Sequence, residues 1–187
     1  MRVIAGSARS IHLKTLDGNA TRPIPDRIKK SLFSILDARG RIAEARVLDL
    51  YAGGGTIGIE ALSRGASSCT FVERSTACRA ILCENLRATR LEKAARVIAS
   101  SVEAYLAGPA EPVDLAFLDP PFEITGKEHA RKDFERVLAA SADRLVPGGW
   151  AILRLDSRAE PFAIGSAVLF REWRDGRQKI LFYERQG

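Results

Sequence analysis

The chain has 187 residues, 46% hydrophobic and 28% charged, a length and balance that fit one folded domain with at most a small appendage and are too apolar for a disordered chain. The 15 glycines and 8 prolines exclude collagen-like and low-complexity readings. No apolar run approaches the roughly 20 residues that span a bilayer, and the start, MRVIAGSARSIHLK, lacks the apolar stretch of a secretory signal.

The net charge of +6 is spread unevenly. Residues 1–45 carry nine Lys/Arg against four Asp/Glu, residues 46–149 thirteen against fourteen, and residues 150–187 seven against five. A near-neutral body with a basic leading segment fits a polyanionic partner touched by that segment, and fits a solvated surface without a partner as well. Cys69, Cys78 and Cys83 form no C-x-x-C pair. They read as small apolar fillers of a protein from a reducing cytoplasm, not as a disulfide framework or a metal site.

In chain order, residues 2–5 and 11–16 can form a small hairpin around Gly6 to Ser10, TRPIPDR (21–27) is a proline-stiffened loop, and IKKSLFSILDA (28–38) has helical spacing. Residues 1–20 read as an appendage and 21–45 as its link to the body. Short apolar runs then alternate with helical stretches: ARVLDLY (45–51), a helix over 56–64, CTFVE (69–73), a helix over 75–90, ARVIAS (95–100), VDLAFLD (113–119) and a helix over 128–145. PGG (147–149) breaks the chain before WAILRLD (150–156). AVLFREW (167–173) and RQKILFYE (177–184) follow, joined through Asp175-Gly176, a hairpin signal. This alternation predicts an α/β fold: a mostly parallel seven-stranded sheet with helices on both faces and an antiparallel hairpin at its end.

Gly53-Gly54-Gly55-Thr56-Ile57-Gly58 satisfies G-x-G-x-x-G after a strand and before a helix, and Glu73 ends the next strand. Each feature fits a dinucleotide site. Asp49, inside the first strand just before the turn, argues against one, because a buried carboxylate would repel a pyrophosphate. S-adenosylmethionine (AdoMet), with an ammonium and a sulfonium and no phosphate, makes the opposite demand. Glycines let the backbone approach its methionine part, and Glu73 can accept ribose hydroxyls in either scheme.

Asp119-Pro120-Pro121-Phe122 follows the strand VDLAFL. Ligands of open parallel sheets sit at the carboxyl ends of strands, so Asp49 to Gly53, Glu73 and Asp119 should meet in one crevice. Two prolines remove two N–H donors and stiffen the turn. The Asp119 carboxylate and Pro120 carbonyl then suit an exocyclic NH2, whose nitrogen they would aim at a methyl group, while Phe122 offers a face to a base.

On these residues the chain resembles AdoMet-dependent methyltransferases with a Rossmann-like fold. More narrowly, it resembles the bacterial small-subunit (16S) ribosomal RNA guanine-N2 methyltransferase family. The resemblance runs through RVIAGSARSIHL (2–13), TRPIPDRIKKSLFSIL (21–36), LDLYAGGGTIGIEALSRGA (48–66), FVE (71–73), Asn85-Leu86 and LDPPF (118–122). It implies a methyltransferase domain over 21–187 and a basic RNA-binding extension over 1–20. Asp49, Tyr51, Gly53, Gly55, Glu73, Arg74, Ser101 and Val102 would line the cofactor, with Glu73 on its ribose. Asp119, Pro120, Pro121 and Phe122 would receive a flipped guanine. Arg2, Arg9, His12, Lys14, Arg22 and Arg27 would contact RNA, with Asp26 near the entrance. Two positions depart from the family: Ser101 stands where an Asp or Asn usually meets the adenine, and Gly54 replaces a Ser in the glycine turn.

The implied protein is a cytoplasmic, monomeric enzyme without metal or membrane contact that methylates 16S ribosomal RNA in an assembled or assembling small subunit. An adenine-N6 methyltransferase on DNA or RNA, an NAD-linked oxidoreductase and a non-enzymatic RNA-binding module are the alternatives.

Overall fold

A computed structural model of the chain describes residues 1–16, 24–109, 111–121 and 128–187. Seven strands form one sheet: β1 (Arg46–Leu50), β2 (Ser68–Val72), β3 (Ala95–Ile98), β4 (Val113–Leu118), β5 (Leu145–Asp156), β6 (Ala167–Asp175) and β7 (Gln178–Arg185). Their order is β3-β2-β1-β4-β5-β7-β6. The first five run parallel, and β7 is antiparallel to both its neighbours. The helices are α1 (Asp26–Ala38), α2 (Thr56–Ser63), α3 (Thr76–Thr89), α4 (Val102–Leu106) and α5 (Glu128–Ala142).

The apolar central strands bury both faces, and their alternation divides the core in two. Val47, Leu115, Phe117, Ile152 and Phe182 pack under α1, α2 and α3. Leu48, Leu50, Ala116, Leu118, Leu153 and Leu181 pack with Phe134, Val137 and Leu138 of α5. Reversal of strand order between β1 and β4 opens a crevice at the carboxyl ends of β2, β1 and β4, where ligands of such sheets bind.

The expected elements are present, with four differences. Residues 102–106 form α4, which no periodicity signalled; its start is made by Ser101, whose hydroxyl accepts from the Ala104 N–H at 3.2 Å. The helix expected over 128–145 stops at Ala142. The PGG break lies inside β5. Pairing moves from Val113↔Leu145 to Leu115↔Trp150, so the strand bulges there around Gly148, whose φ is +75°. The final hairpin turns through Gly176-Arg177, with Asp175 opposite Gln178.

The leading hairpin has one bridged pair, Arg2↔His12, and cross-links from Val3 N–H to the Ile11 carbonyl at 3.0 Å and Ser10 N–H to the Val3 carbonyl at 2.9 Å. It lies on α2. Glu60 accepts the Ile4 and Ala5 N–H groups at 2.7 and 3.1 Å, and Ser63 Oγ accepts from Ala8 N–H at 3.0 Å. At Gly6 a Cβ would stand 1.7 Å from the Ser63 carbonyl oxygen, so only glycine fits. Val3, Ala8 and Leu13 are buried in the same core as α1 and α2. The boundary placed between residues 20 and 21, and residues 21–23 of the TRPIPDR loop with Arg22, lie outside the described residues, while Asp26 and Arg27 of that loop open α1.

Candidate active site

The first wall of the crevice is the glycine turn. Tyr51 (φ +62°) and Gly53 (φ +56°) turn the chain sharply after β1, and Gly55 (φ +79°) opens α2. A Cβ on Gly55 would come within 2.2 Å of Leu82 Cδ1, whereas a Cβ on Gly53 would meet nothing within 4 Å among the described residues. The turn is therefore packed from behind and open toward the crevice. Glu73 braces it: its two carboxylate oxygens accept the Gly53 N–H at 2.9 Å and the Ser75 N–H at 2.7 Å. Each oxygen keeps lone pairs for a further donor. Asn85 of α3 braces it from the other side. Its amide donates to the carbonyls of Gly54 and Lys14 at 2.9 and 3.0 Å and accepts the Lys14 N–H at 2.8 Å. The basic hairpin is thereby tied directly to the glycine turn.

Asp49, only 1% exposed, accepts the Gly58 N–H at 2.9 Å. Burial pushes its carboxyl up to about 7, against the pull of that N–H, and the charges of Asp119 and Glu73 push the same way. Asp49, Glu73 and Asp119 thus share one electrostatic neighbourhood, rich in negative charge. The Tyr51 hydroxyl is buried with no hydrogen-bond partner among the described residues, and its ring lies 6.5 Å from Phe134. Burial, then the charge of Glu103, raise its phenol above the ordinary range.

Asp119 follows β4 and is largely buried. Arg154 of β5 grips it from the next strand, Nε to Oδ1 at 2.6 Å and Nη2 to Oδ2 at 2.7 Å, while Nη1 donates to Gln178 Oε1 at 3.0 Å. Burial raises the Asp119 carboxyl and Arg154 holds it down, burial being the larger effect. Pro120 is buried and Pro121 exposed, and Phe122 lies outside the described residues.

The remaining expected residues are spread more widely. Arg74 is exposed at the rim, Ser101 spends its hydroxyl on capping α4, and Val102 is buried in the core beside α5. Arg2, Arg9, His12 and Lys14 are all exposed on the hairpin, with Lys14 paired to Glu84 at 2.7 Å. Arg27 is exposed on α1 and pairs with Asp175 at the end of β6. The sequence assigns no role to two residues of the site, although Asn85 stands in a segment that carries the family resemblance. The signal for Arg154 is a lone cation inside the apolar run 150–155; Asn85 stands as a buried amide on an apolar helix face. Among the described residues, no three His, Cys, Asp or Glu side chains are grouped to hold a metal ion.

This strand order, with a glycine turn after the first strand, an acid closing the second and Asp-Pro-Pro after the fourth, defines a Rossmann-like methyltransferase fold. The family model described as conserved hypothetical protein 95 matches residues 1–184. Ribosomal RNA small subunit methyltransferase D of Escherichia coli (strain K12) is 32% identical over 193 residues, covering 100% of this chain and 90% of that protein. The Haemophilus influenzae protein of the same name is 37% identical over 133 residues, 70% of this chain and 68% of its own. A solved hypothetical protein of Thermus thermophilus superposes with a TM-score of 0.82 at 30% identity, covering 97% of this chain and 98% of its own. The chain belongs to this family, the small-subunit ribosomal RNA methyltransferases.

Proposed function

We propose that the protein transfers a methyl group from AdoMet to the exocyclic N2 of a guanine in 16S ribosomal RNA, in an assembled or assembling small subunit. The observation that carries this reading is the meeting of Asp49, Glu73 and Asp119 around a glycine turn that is open on its crevice side. The chemistry of this donor set fits AdoMet. Glu73 would take the ribose hydroxyls with its remaining lone pairs, Gly53 would let the cofactor approach the backbone, and Asp49 would answer its positive charge. The orphaned Tyr51 hydroxyl is a further polar group for a ligand to satisfy. The same acids disfavour the NAD reading, since a pyrophosphate brought against them would be repelled.

AdoMet, when bound, supplies a methyl group made electrophilic by its sulfonium. Asp119 and the Pro120 carbonyl would accept the two N–H bonds of the guanine amine and aim its lone pair at that carbon. The nitrogen would take the methyl group from the sulfonium, whose sulfur would keep the bonding electron pair, and the surplus amine proton would pass to solvent. Positioning the amine in line with the methyl group would carry most of the rate. The exposed basic residues Arg2, Arg9, His12, Lys14 and Arg27 would hold phosphates and so place the RNA without reading its sequence.

The test is labelled methyl transfer to small subunits from cells lacking the protein, followed by nucleoside mass analysis. N2-methylguanosine is expected; methyladenosine without methylguanosine would overturn the choice of base. Asp119→Ala is expected to keep AdoMet binding and lose transfer, and full activity in that variant would end the amine-positioning role.

A further inference from the structure

We propose that Arg154 is a positioning residue of this site, holding the Asp119 carboxylate as an oriented acceptor for the substrate amine. The inference deepens the methyltransferase reading and rests on it. Leu118 is paired with Leu153, so the next residues, Asp119 and Arg154, stand opposite each other across β4 and β5 on one face of the sheet. Their two parallel bonds, 2.6 and 2.7 Å, fix the plane of the carboxylate, and Gln178 of β7 fixes the guanidinium in turn at 3.0 Å. Both side chains are nearly enclosed, at 8% and 15% exposure.

The groups facing this carboxylate explain why a cation is needed. Asp49, from β1, feels the charge of Asp119, so the two acids are within electrostatic range of each other. Arg154, from β5, is the opposing charge, with neutral Gln178 behind it. Without Arg154, burial would act on this carboxyl unopposed and favour its protonated form. A protonated carboxyl presents a donor where the amine needs an acceptor, and it is free to rotate. With Arg154 in place, one lone pair on each oxygen is engaged and the others remain for the amine. Arg154 therefore favours the ionised form of Asp119, which orients the amine as an acceptor.

Three variants test this. Arg154→Gln should bind AdoMet within about threefold of the parent yet turn over about tenfold or more slowly at pH 7. Its acid limb in kcat should move up by about 1–3 pH units, as expected when a carboxylate loses an adjacent arginine, with activity partly regained at pH 9. Arg154→Lys should keep the limb in place, because the charge remains, but lose turnover, because an ammonium cannot make the two parallel bonds. Carboxyl carbon-13 titration of the ligand-free protein, with Asp119→Asn identifying the signal, should show the Asp119 midpoint raised in Arg154→Gln and not in Arg154→Lys. An unchanged limb and midpoint in Arg154→Gln would overturn the proposal; so would full turnover in Arg154→Lys, which also serves if the glutamine variant does not fold. The titration reads the pair without turnover. A parent enzyme that fails to methylate guanine therefore counts against the proposed function, while the titration still decides whether Arg154 holds Asp119 ionised.

Discussion

Glu60 and Asp49 are both acids with almost no exposed surface, 0% and 1%, and both touch α2. Their surroundings differ in kind. Glu60 accepts the Ile4 and Ala5 N–H groups and the Arg64 Nε at 2.7 Å, and lies 3.5 Å from the enclosed Lys29 ammonium. Arg64 goes on to Asp37, and Lys29 to the Arg2 carbonyl at 2.7 Å. Asp49 receives one N–H, from Gly58, and two further carboxylates act on it. A buried charge is tolerable when its partners are complete. Glu60 is complete within the chain and fastens the leading hairpin; Asp49 has no ion-pair partner among the described residues. Under the proposed function, the contrast is between a structural acid and one that answers the positive charge of a ligand.

The contrast breaks most visibly at Glu60. Glu60→Leu strands the Lys29 ammonium, which burial already pulls below the ordinary lysine range, and orphans two N–H groups. A loss of about 3–5 kcal/mol is expected, the usual cost of removing one member of a buried pair. Urea unfolding measures it, and amide exchange at Ile4 and Ala5 should rise with it. A variant within about 1 kcal/mol of the parent would mean that the network around Glu60 is dispensable.

A smaller effect is expected at Asn85, which joins the two regions. Asn85→Ala leaves the Lys14 N–H and the Lys14 and Gly54 carbonyls without their side-chain partner. The expected cost is about 1–3 kcal/mol of stability, that of unsatisfied buried polar groups. The more telling readout is function: AdoMet affinity and RNA affinity should fall together, because one amide holds both the glycine turn and the basic hairpin. Calorimetry with AdoMet and filter binding with 16S RNA would separate this from a purely local effect, in which only one affinity changes.

What the linear sequence made legible follows the range of the interactions. The glycine turn, Glu73 and Asp119 could be read because local strand-to-loop transitions place each at a carboxyl end, and parallel order then brings the ends together. Arg154 could not, because its partner depends on β4 and β5 being neighbours in register, which no spacing encodes. The contacts of Asn85 and Glu60 were hidden for the same reason, though both stand in segments that carry the family resemblance: each bonds residues more than fifty positions away. Helix α4 escaped because five residues are too short for a period, and the β5 bulge because Pro-Gly-Gly reads as an end when it is an interruption. The leading hairpin was legible as a turn, but its seat on α2 was not, since a glycine that admits Ser63 looks like any loop glycine.

The smallest effect sharpens the comparison furthest. The Asp49 carboxyl lies at about 7 in the ligand-free chain, above its ordinary value, so its contribution to stability is present at acid pH and is lost as pH rises through about 7. Asp49→Asn keeps an oxygen for the Gly58 N–H and has no charge to bury. It should therefore melt higher than the parent at pH 8, with the difference narrowing as pH falls below about 7 and closing only near pH 4, the ordinary range of a free aspartate. Cofactor binding should move the other way. A cation entering the crevice favours the ionised carboxylate, so AdoMet binding by the parent near pH 7 should release a proton, seen as a dependence of the calorimetric heat on buffer ionisation. The asparagine variant should bind about tenfold more weakly, one pH unit's worth of differential interaction, with that proton release absent. Equal proton release in parent and variant would mean that Asp49, like Glu60, is complete without a ligand, and the distinction between the two acids would fall.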